Sequence, residues 1–303
     1  MLSQLAEQQL VLLLLTMGGF ILFKAGFIPK AGIGSIINIT LYLFMPCNIL
    51  YSFLVTFDSD RIMSFLSVFL VAVFIQVVSL VISKYFYNRA APEKQAVLRF
   101  ATVNSNSILL GAPIAESIYG GLGMSYASIY TIPARFVMWS AGLAYFTKPP
   151  GKAALIKSSL THPCMIAVVL GFICVPLHIS LPSAVMTVLR DFGACTTPVS
   201  MLIIGVTLAE VKFGELAEKA VFYLSFIRLG LLPFMAYAVC LLFRLNAEVT
   251  GISVLLTAMP AGATTTIMAA KYNGNGAFAS KCVVLSTLLS FVSTAAWSLI
   301  VNG

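Results

Sequence analysis

Charge is what this chain has least of. Only 9% of its 303 residues are charged, whereas soluble domains carry roughly 25%. Acids are the scarcest, 10 Asp and Glu against 18 Lys and Arg, and there are only two histidines. No HExxH, GxSxG or Walker-type loop occurs, so hydrolytic and metal chemistry have no residues to run on and no enzyme is expected. The six cysteines, Cys47, Cys164, Cys174, Cys195, Cys240 and Cys282, include no CxxC pair and fall in apolar segments. That excludes a metal site, a cofactor tether or a disulfide framework as the expectation and leaves small buried apolar residues. The net charge of +8 does not imply nucleic acid, because the basic residues lie in short loops between apolar runs rather than on one face.

Apolar runs are what it has instead. The chain is 60% hydrophobic with a mean hydropathy of +1.00, which places it in the lipid bilayer. The first run, "QQLVLLLLTMGGFILF", follows the acidic Glu7 rather than a basic leader, so it reads as a first span and not as a cleaved signal. A helix needs about 20 apolar residues to cross a bilayer. Ten segments meet that length: 8–28, 33–57, 62–86, 97–119, 124–147, 155–177, 182–209, 219–243, 247–271 and 277–301. One set of loops holds Lys30, Lys84, Arg89, Lys94, Lys148, Lys152, Lys157, Lys212, Lys219 and Lys271; the alternate set holds only Arg61 and Arg244. The richer set is expected in the cytoplasm, with both termini outside and the chain in the cell membrane.

Two halves, 1–150 and 151–303, echo one another. Pro46 and Pro198, "YAS" at 126–128 and "FAS" at 278–280, and Gln76 and Arg228 are each 152 residues apart. Five spans per half would give the halves opposite orientation, the inverted-repeat plan of many secondary transporters.

Spans four and nine are interrupted. "NSNSILLGAPIAESIYGG" carries Asn104, Asn106, Gly111 and Pro113, and "TAMPAGATTTIMAAKYNGNG" carries Pro260, Gly262, Thr264 and Thr265. Unpaired backbone in lipid costs several kcal/mol per group, so broken helices persist only beside protein or water. Paired breaks in two halves mark a transport site. The half-helix that follows each break presents a positive dipole end, which suits an anion and most simply a carboxylate. The alternative is a pair of ordinary proline kinks whose asparagines bond neighbouring helices. Arg135 and Arg228 lie inside spans five and eight and either meet the anion or pair with helix carbonyls. Arg99 and Lys281, near span ends, are expected to snorkel. His162 and His178 are expected at the interface, and Glu116 near the outer surface.

Four stretches together resemble the auxin efflux carrier family of permeases in its bacterial form, and through it the bile-acid-symporter-like superfamily. They are "MPCNIL", "NSILLGAPIAESIYGGLGMSYASIY", "PVSMLIIGVTLAE" and "AMPAGATTTIMAAKYNGNGAFASKCVVLSTLLS". The family's span-four pattern, Asn-x-Gly-x-x-Gly-x-Pro, is met by Asn106, Gly111 and Pro113; Ile108 stands where the family has its first glycine, which leaves the position of the break open. The resemblance implies an all-α polytopic membrane protein of ten helices in two inverted five-helix repeats, with a scaffold part, a transport part and crossed broken helices four and nine. It implies Asn106 and Pro260 at the crossing with Thr264 and Thr265 beside them. It implies organic anions as substrates, such as auxin in plants or malate and malonate in bacteria. Sodium-dependent relatives hold sodium with acids near the crossing; none stands in these two spans' centres, so coupling to protons or to no ion is expected. The competing readings are a sodium-coupled symporter and a membrane receptor or scaffold without transport. A homo-oligomer is compatible with either.

Overall fold

The computed structural model describes residues 2–56, 61–146, 161–174, 181–209, 218–272 and 274–302. Lys148, Lys152, Lys157, Lys212 and His178, and the border between the two sequence halves, lie outside them. In chain order the α-helices are α1 Leu2–Lys24, α2 Lys30–Ile39, α3 Met45–Thr56, α4 Ile62–Tyr85, α5 Pro92–Val103, α6 Ala112–Val137 and α7 Pro163–Cys174. They continue with α8 Ser183–Ala194, α9 Thr196–Ala209, α10 Lys219–Phe226, α11 Leu232–Leu242, α12 Ala247–Thr257, α13 Thr264–Lys271 and α14 Gly276–Asn302. Among the described residues there is no strand, only one isolated bridge pair.

Five stretches are long and apolar enough to cross a membrane: Ala31–Val55, Ile62–Tyr85, Ser183–Ala209, Lys219–Leu242 and Gly276–Val301. Leu10–Lys24, Pro163–Cys174 and Ala247–Thr257 are shorter apolar helices. The exposed side chains of α4 include Leu66, Leu70, Val77 and Val81. An apolar outer surface of this kind belongs against lipid. The chain is an all-α polytopic membrane protein.

Two compact units divide it, and each draws helices from both sequence halves: Met1–Phe65 with Ile108–Ile129 and Ser158–Glu210, and Leu66–Ser107 with Tyr130–Lys157 and Val211–Gly303.

In the first unit α1 packs along α9. The approach is too close for any side chain at two glycines: a Cβ on Gly205 would lie 1.9 Å from the Thr16 carbonyl oxygen, and one on Gly19 would lie 2.2 Å from that of Leu202. Small residues let membrane helices touch backbone to backbone, where lipid supplies no hydrophobic drive to hold them together. Gly205→Ala is therefore expected to destabilise the protein by roughly 1–3 kcal/mol. Gly34→Ala, with nothing within 4 Å of its Cβ, should stay within about 0.5 kcal/mol of wild type. Thermal melts of the two variants check this pair.

α6 is two arms rather than one rod. Gly120 sits at φ 64°, ψ −154° in its middle, a conformation that other residues adopt only under strain. The arms then fold so tightly that a Cβ on Gly123 would meet the Ala115 carbonyl at 2.1 Å. The turn falls where the sequence places the boundary between spans four and five.

In the second unit α5, α10, α11 and α14 enclose a core that includes Leu98, Ala101, Leu224, Leu232, Cys282 and Val283. Pro233 has no N–H to give to Leu229, one turn earlier. That carbonyl instead accepts from Ser293 Oγ at 2.9 Å and Trp297 Nε1 at 2.8 Å, both on α14. The π-turn Ile227–Leu231 ends two residues before the proline.

Candidate functional site

The crossing of the two breaks is built inside the second unit. α5 stops at Val103, and Asn104 is extended at φ −113°, ψ 96°. α12 stops at Thr257, and α13 begins at Thr264. Between them the two stretches run antiparallel, with Ser105 bridged to Ala261. Asn106 N–H donates to the Pro260 carbonyl at 2.8 Å, and Gly262 N–H donates to the Asn104 carbonyl at 2.8 Å. Each break supplies the backbone partners that the other lost by leaving the helix, which meets the rule that buried backbone groups must be paired. Ala261 N–H is taken by Ser286 Oγ at 3.1 Å. Asn104 Nδ2 donates to Thr264 Oγ1 across the crossing.

Gly262 is required where the chains touch. A Cβ there would lie 2.6 Å from Asn104 Nδ2, 3.1 Å from the Ser105 carbonyl oxygen and 3.2 Å from that of Asn104.

The carbonyls left at the ends of α5 and α12 are met from neighbouring helices. Arg228, 3% exposed, donates through Nη1 to the Thr102 carbonyl at 3.0 Å and through Nη2 to that of Met259 at 2.9 Å, with Thr257 O at 3.5 Å. Gln76 Nε2 donates to the Val103 carbonyl at 2.8 Å. Gln76 and Arg228, the pair at matching places in the two halves, thus act on the same break. A cation at two helix C-terminal ends is favoured by both macrodipoles. Tyr87 and Thr102 share a hydrogen bond of 2.7 Å, and Tyr130 and Thr257 one of 2.6 Å. Burial pushes the Tyr87 phenol well above its usual range, so it stays protonated. Outside the spans, Lys94 on α5 pairs with Glu218 at the start of α10, and that hydrogen bond raises the lysine further.

Besides Arg228 Nε, two polar atoms at the crossing have no partner among the described residues. Asn106 Nδ2 and Thr265 Oγ1 are buried without a hydrogen bond, in residues 4% and 0% exposed. Leaving a buried donor unpaired costs about 1–3 kcal/mol, so both groups are open to a further partner. Neither break segment, 104–107 or 257–266, contains an acid.

Of the residues singled out in the sequence, Asn104, Asn106, Pro260, Gly262 and Thr264 come together here, Thr265 follows on the first turn of α13, and Arg228 backs them. Gly111 and Pro113 do not form the break. It falls earlier, at Asn104–Asn106, and the two lie in the segment Ile108–Ile129 of the first unit. Pro113 follows the π-turn Ser107–Gly111, which runs on into α6, an irregular turn that suits a residue with no N–H to give. Arg135 is buried in the second arm of α6. Glu116, read from the sequence as peripheral, is bound by side chains of two other helices. Ser105, Ala261 and Ser286 were not singled out, since bridge-forming backbone and a small serine carry no sequence signal of their own.

The membrane transport protein family matches this chain twice, over residues 5–161 and again over 152–298. An uncharacterized transporter of Methanothermobacter thermautotrophicus is 26% identical over 206 residues, 67% of each chain. The uncharacterized transporter YfdV of Escherichia coli K12 is 28% identical over 195 residues, and the match spans 61% of each chain.

Proposed function

The chain belongs to the membrane transport protein family, that of the auxin efflux carriers, and we propose that it carries small organic anions, carboxylates above all, by alternating access of one helix bundle against the other. The observation that carries the carboxylate reading is the pair of unpartnered buried groups, Asn106 Nδ2 and Thr265 Oγ1, at a crossing without an acid. An amide N–H and a hydroxyl are donors that a carboxylate accepts from, and charge-assisted bonds are about twice as strong as neutral ones. The N-terminal end of α13 and the Arg228 guanidinium add positive potential. Thr265 and Thr266 N–H close onto the carbonyls of Gly262 and Ala263, so side chains rather than first-turn amides make the direct contacts. Arg135 lines the anion's path, and Gly111 and Pro113 shape the start of the second half-helix. Coupling is to protons or to no ion. The basic-loop bias supports both termini outside the cell membrane, and the two family matches support the two inverted repeats.

A thermal-shift screen of purified protein against mono- and dicarboxylates tests the reading. A carboxylate at one hundred times its Kd stabilises by about 2.7 kcal/mol, several degrees in melting temperature. Asn106→Ala should weaken that response about tenfold or more, the worth of one hydrogen bond to a charged group. Equal stabilisation by the neutral amides of the same acids would count against a carboxylate site.

A further inference from the structure

The first compact unit holds a second polar centre, around Glu116. Asn48 Nδ2, on α3, donates to both carboxylate oxygens at 3.0 Å, and the Thr197 hydroxyl, on α9, donates to Oε2 at 3.1 Å. The helices are locked at this level: a Cβ on Gly193, one turn before Thr197, would stand 3.0 Å from Asn48 Cα. Every group that touches the carboxylate is neutral. Among the described residues no Lys, Arg or His pairs with it. A carboxylate packed among helices with no cation beside it is costly to keep ionised.

Unused oxygens lie on the helices that hold it. Ser200 follows Thr197 by three residues on α9, so the two share a face. Ser200 is 0% exposed and its hydroxyl has no partner. The Asn48 amide oxygen receives only the long 3.4 Å bond from Ser52. A carboxylate, an amide oxygen and two hydroxyls are hard ligands that suit an alkali or alkaline-earth cation. One carboxylate balances one positive charge, and the described residues hold no group of three or more acids, His or Cys that would favour a divalent ion. Glu116 itself is only partly buried, which leaves a way in.

We propose that Glu116, Asn48, Thr197 and Ser200 form a binding site for an alkali-metal cation. The ion neutralises Glu116, takes the lone pair of Ser200, and ties α3, α6 and α9 together. The site is independent of the anion crossing and stands or falls without it.

The test is a thermal melt of the purified protein in sodium, potassium or choline chloride at equal ionic strength. Sodium or potassium should raise the melting temperature saturably, and choline should not. Glu116→Gln, which keeps the shape, should abolish the response. Ser200→Ala, which removes only the unpaired hydroxyl, should raise the half-saturating concentration about fivefold, as loss of one ligand predicts. Binding of radioactive sodium to unmodified protein, displaced by unlabelled sodium, gives the same answer even if Glu116→Gln does not fold. An equal shift in choline, a response retained by Glu116→Gln, or no displaceable sodium or potassium binding would overturn the assignment.

Discussion

Replacing Arg228 should unfold the crossing more readily, and lysine should be no better than methionine. Arg228 joins carbonyls from the ends of both α5 and α12. Burying its charge costs about 2.5–3.5 kcal/mol on insertion scales. Against that stand bonds from a charged donor, each worth about 1.5–3 kcal/mol, and the penalty of leaving their acceptors bare. Arg228→Met gives back the burial cost but strands the carbonyls, for a net loss of about 1–4 kcal/mol. Arg228→Lys keeps the charge buried and loses the planar fork that spans the two helix ends. Its melting temperature should be as low as that of Arg228→Met, or lower. If lysine restores wild-type stability, the guanidinium's geometry is not what holds the crossing, and the charge alone suffices.

Gly262→Val should cut transport at least tenfold while the protein still assembles. Even a single Cβ meets Asn104 Nδ2 and two backbone oxygens at the bridge. The amide of Asn104 could swing away, but the carbonyls of Ser105 and Asn104 belong to the paired backbone and move only with it. Valine adds two methyl groups in the same space. A displacement of about 1 Å at a binding site costs roughly a hundredfold in the worst cases. Gly230→Ala is the comparison, since its Cβ would meet nothing nearer than Phe226 at 3.7 Å. Flux measured in proteoliposomes, normalised to reconstituted protein, separates the two variants. Equal activity would mean that the bridged segments do not set the substrate geometry.

Much of this was readable beforehand, and for a physical reason. A bilayer punishes unpaired backbone, so Asn, Gly, Pro and Thr inside an apolar run stand out as a place where something else satisfies the chain. The correspondence of Gln76 with Arg228 was also visible as a fixed offset, and the structure gives it a shared task on the carbonyls of α5. The position of the first break was not legible. Gly111 and Pro113 carry the stronger helix-breaking signal, yet the π-turn Ser107–Gly111 absorbs them into a continuous helical run, and the chain leaves the helix at Asn104 instead. The partners of Glu116 were not legible, because depth along the span gives no information about neighbours. Its partners, Asn48 and Thr197, are 68 and 81 residues away in sequence. Only the packed helices bring them together.

The measurement that bears most directly on the central claim is uptake of a labelled carboxylate into proteoliposomes, made with wild-type protein and with Asn106→Ala. The site at the crossing predicts saturable uptake, competed by other carboxylates, that falls at least tenfold in Asn106→Ala while the variant keeps its melting temperature within a few degrees. Uptake unchanged in Asn106→Ala would contradict it, as would a wild-type protein that moves no carboxylate at all.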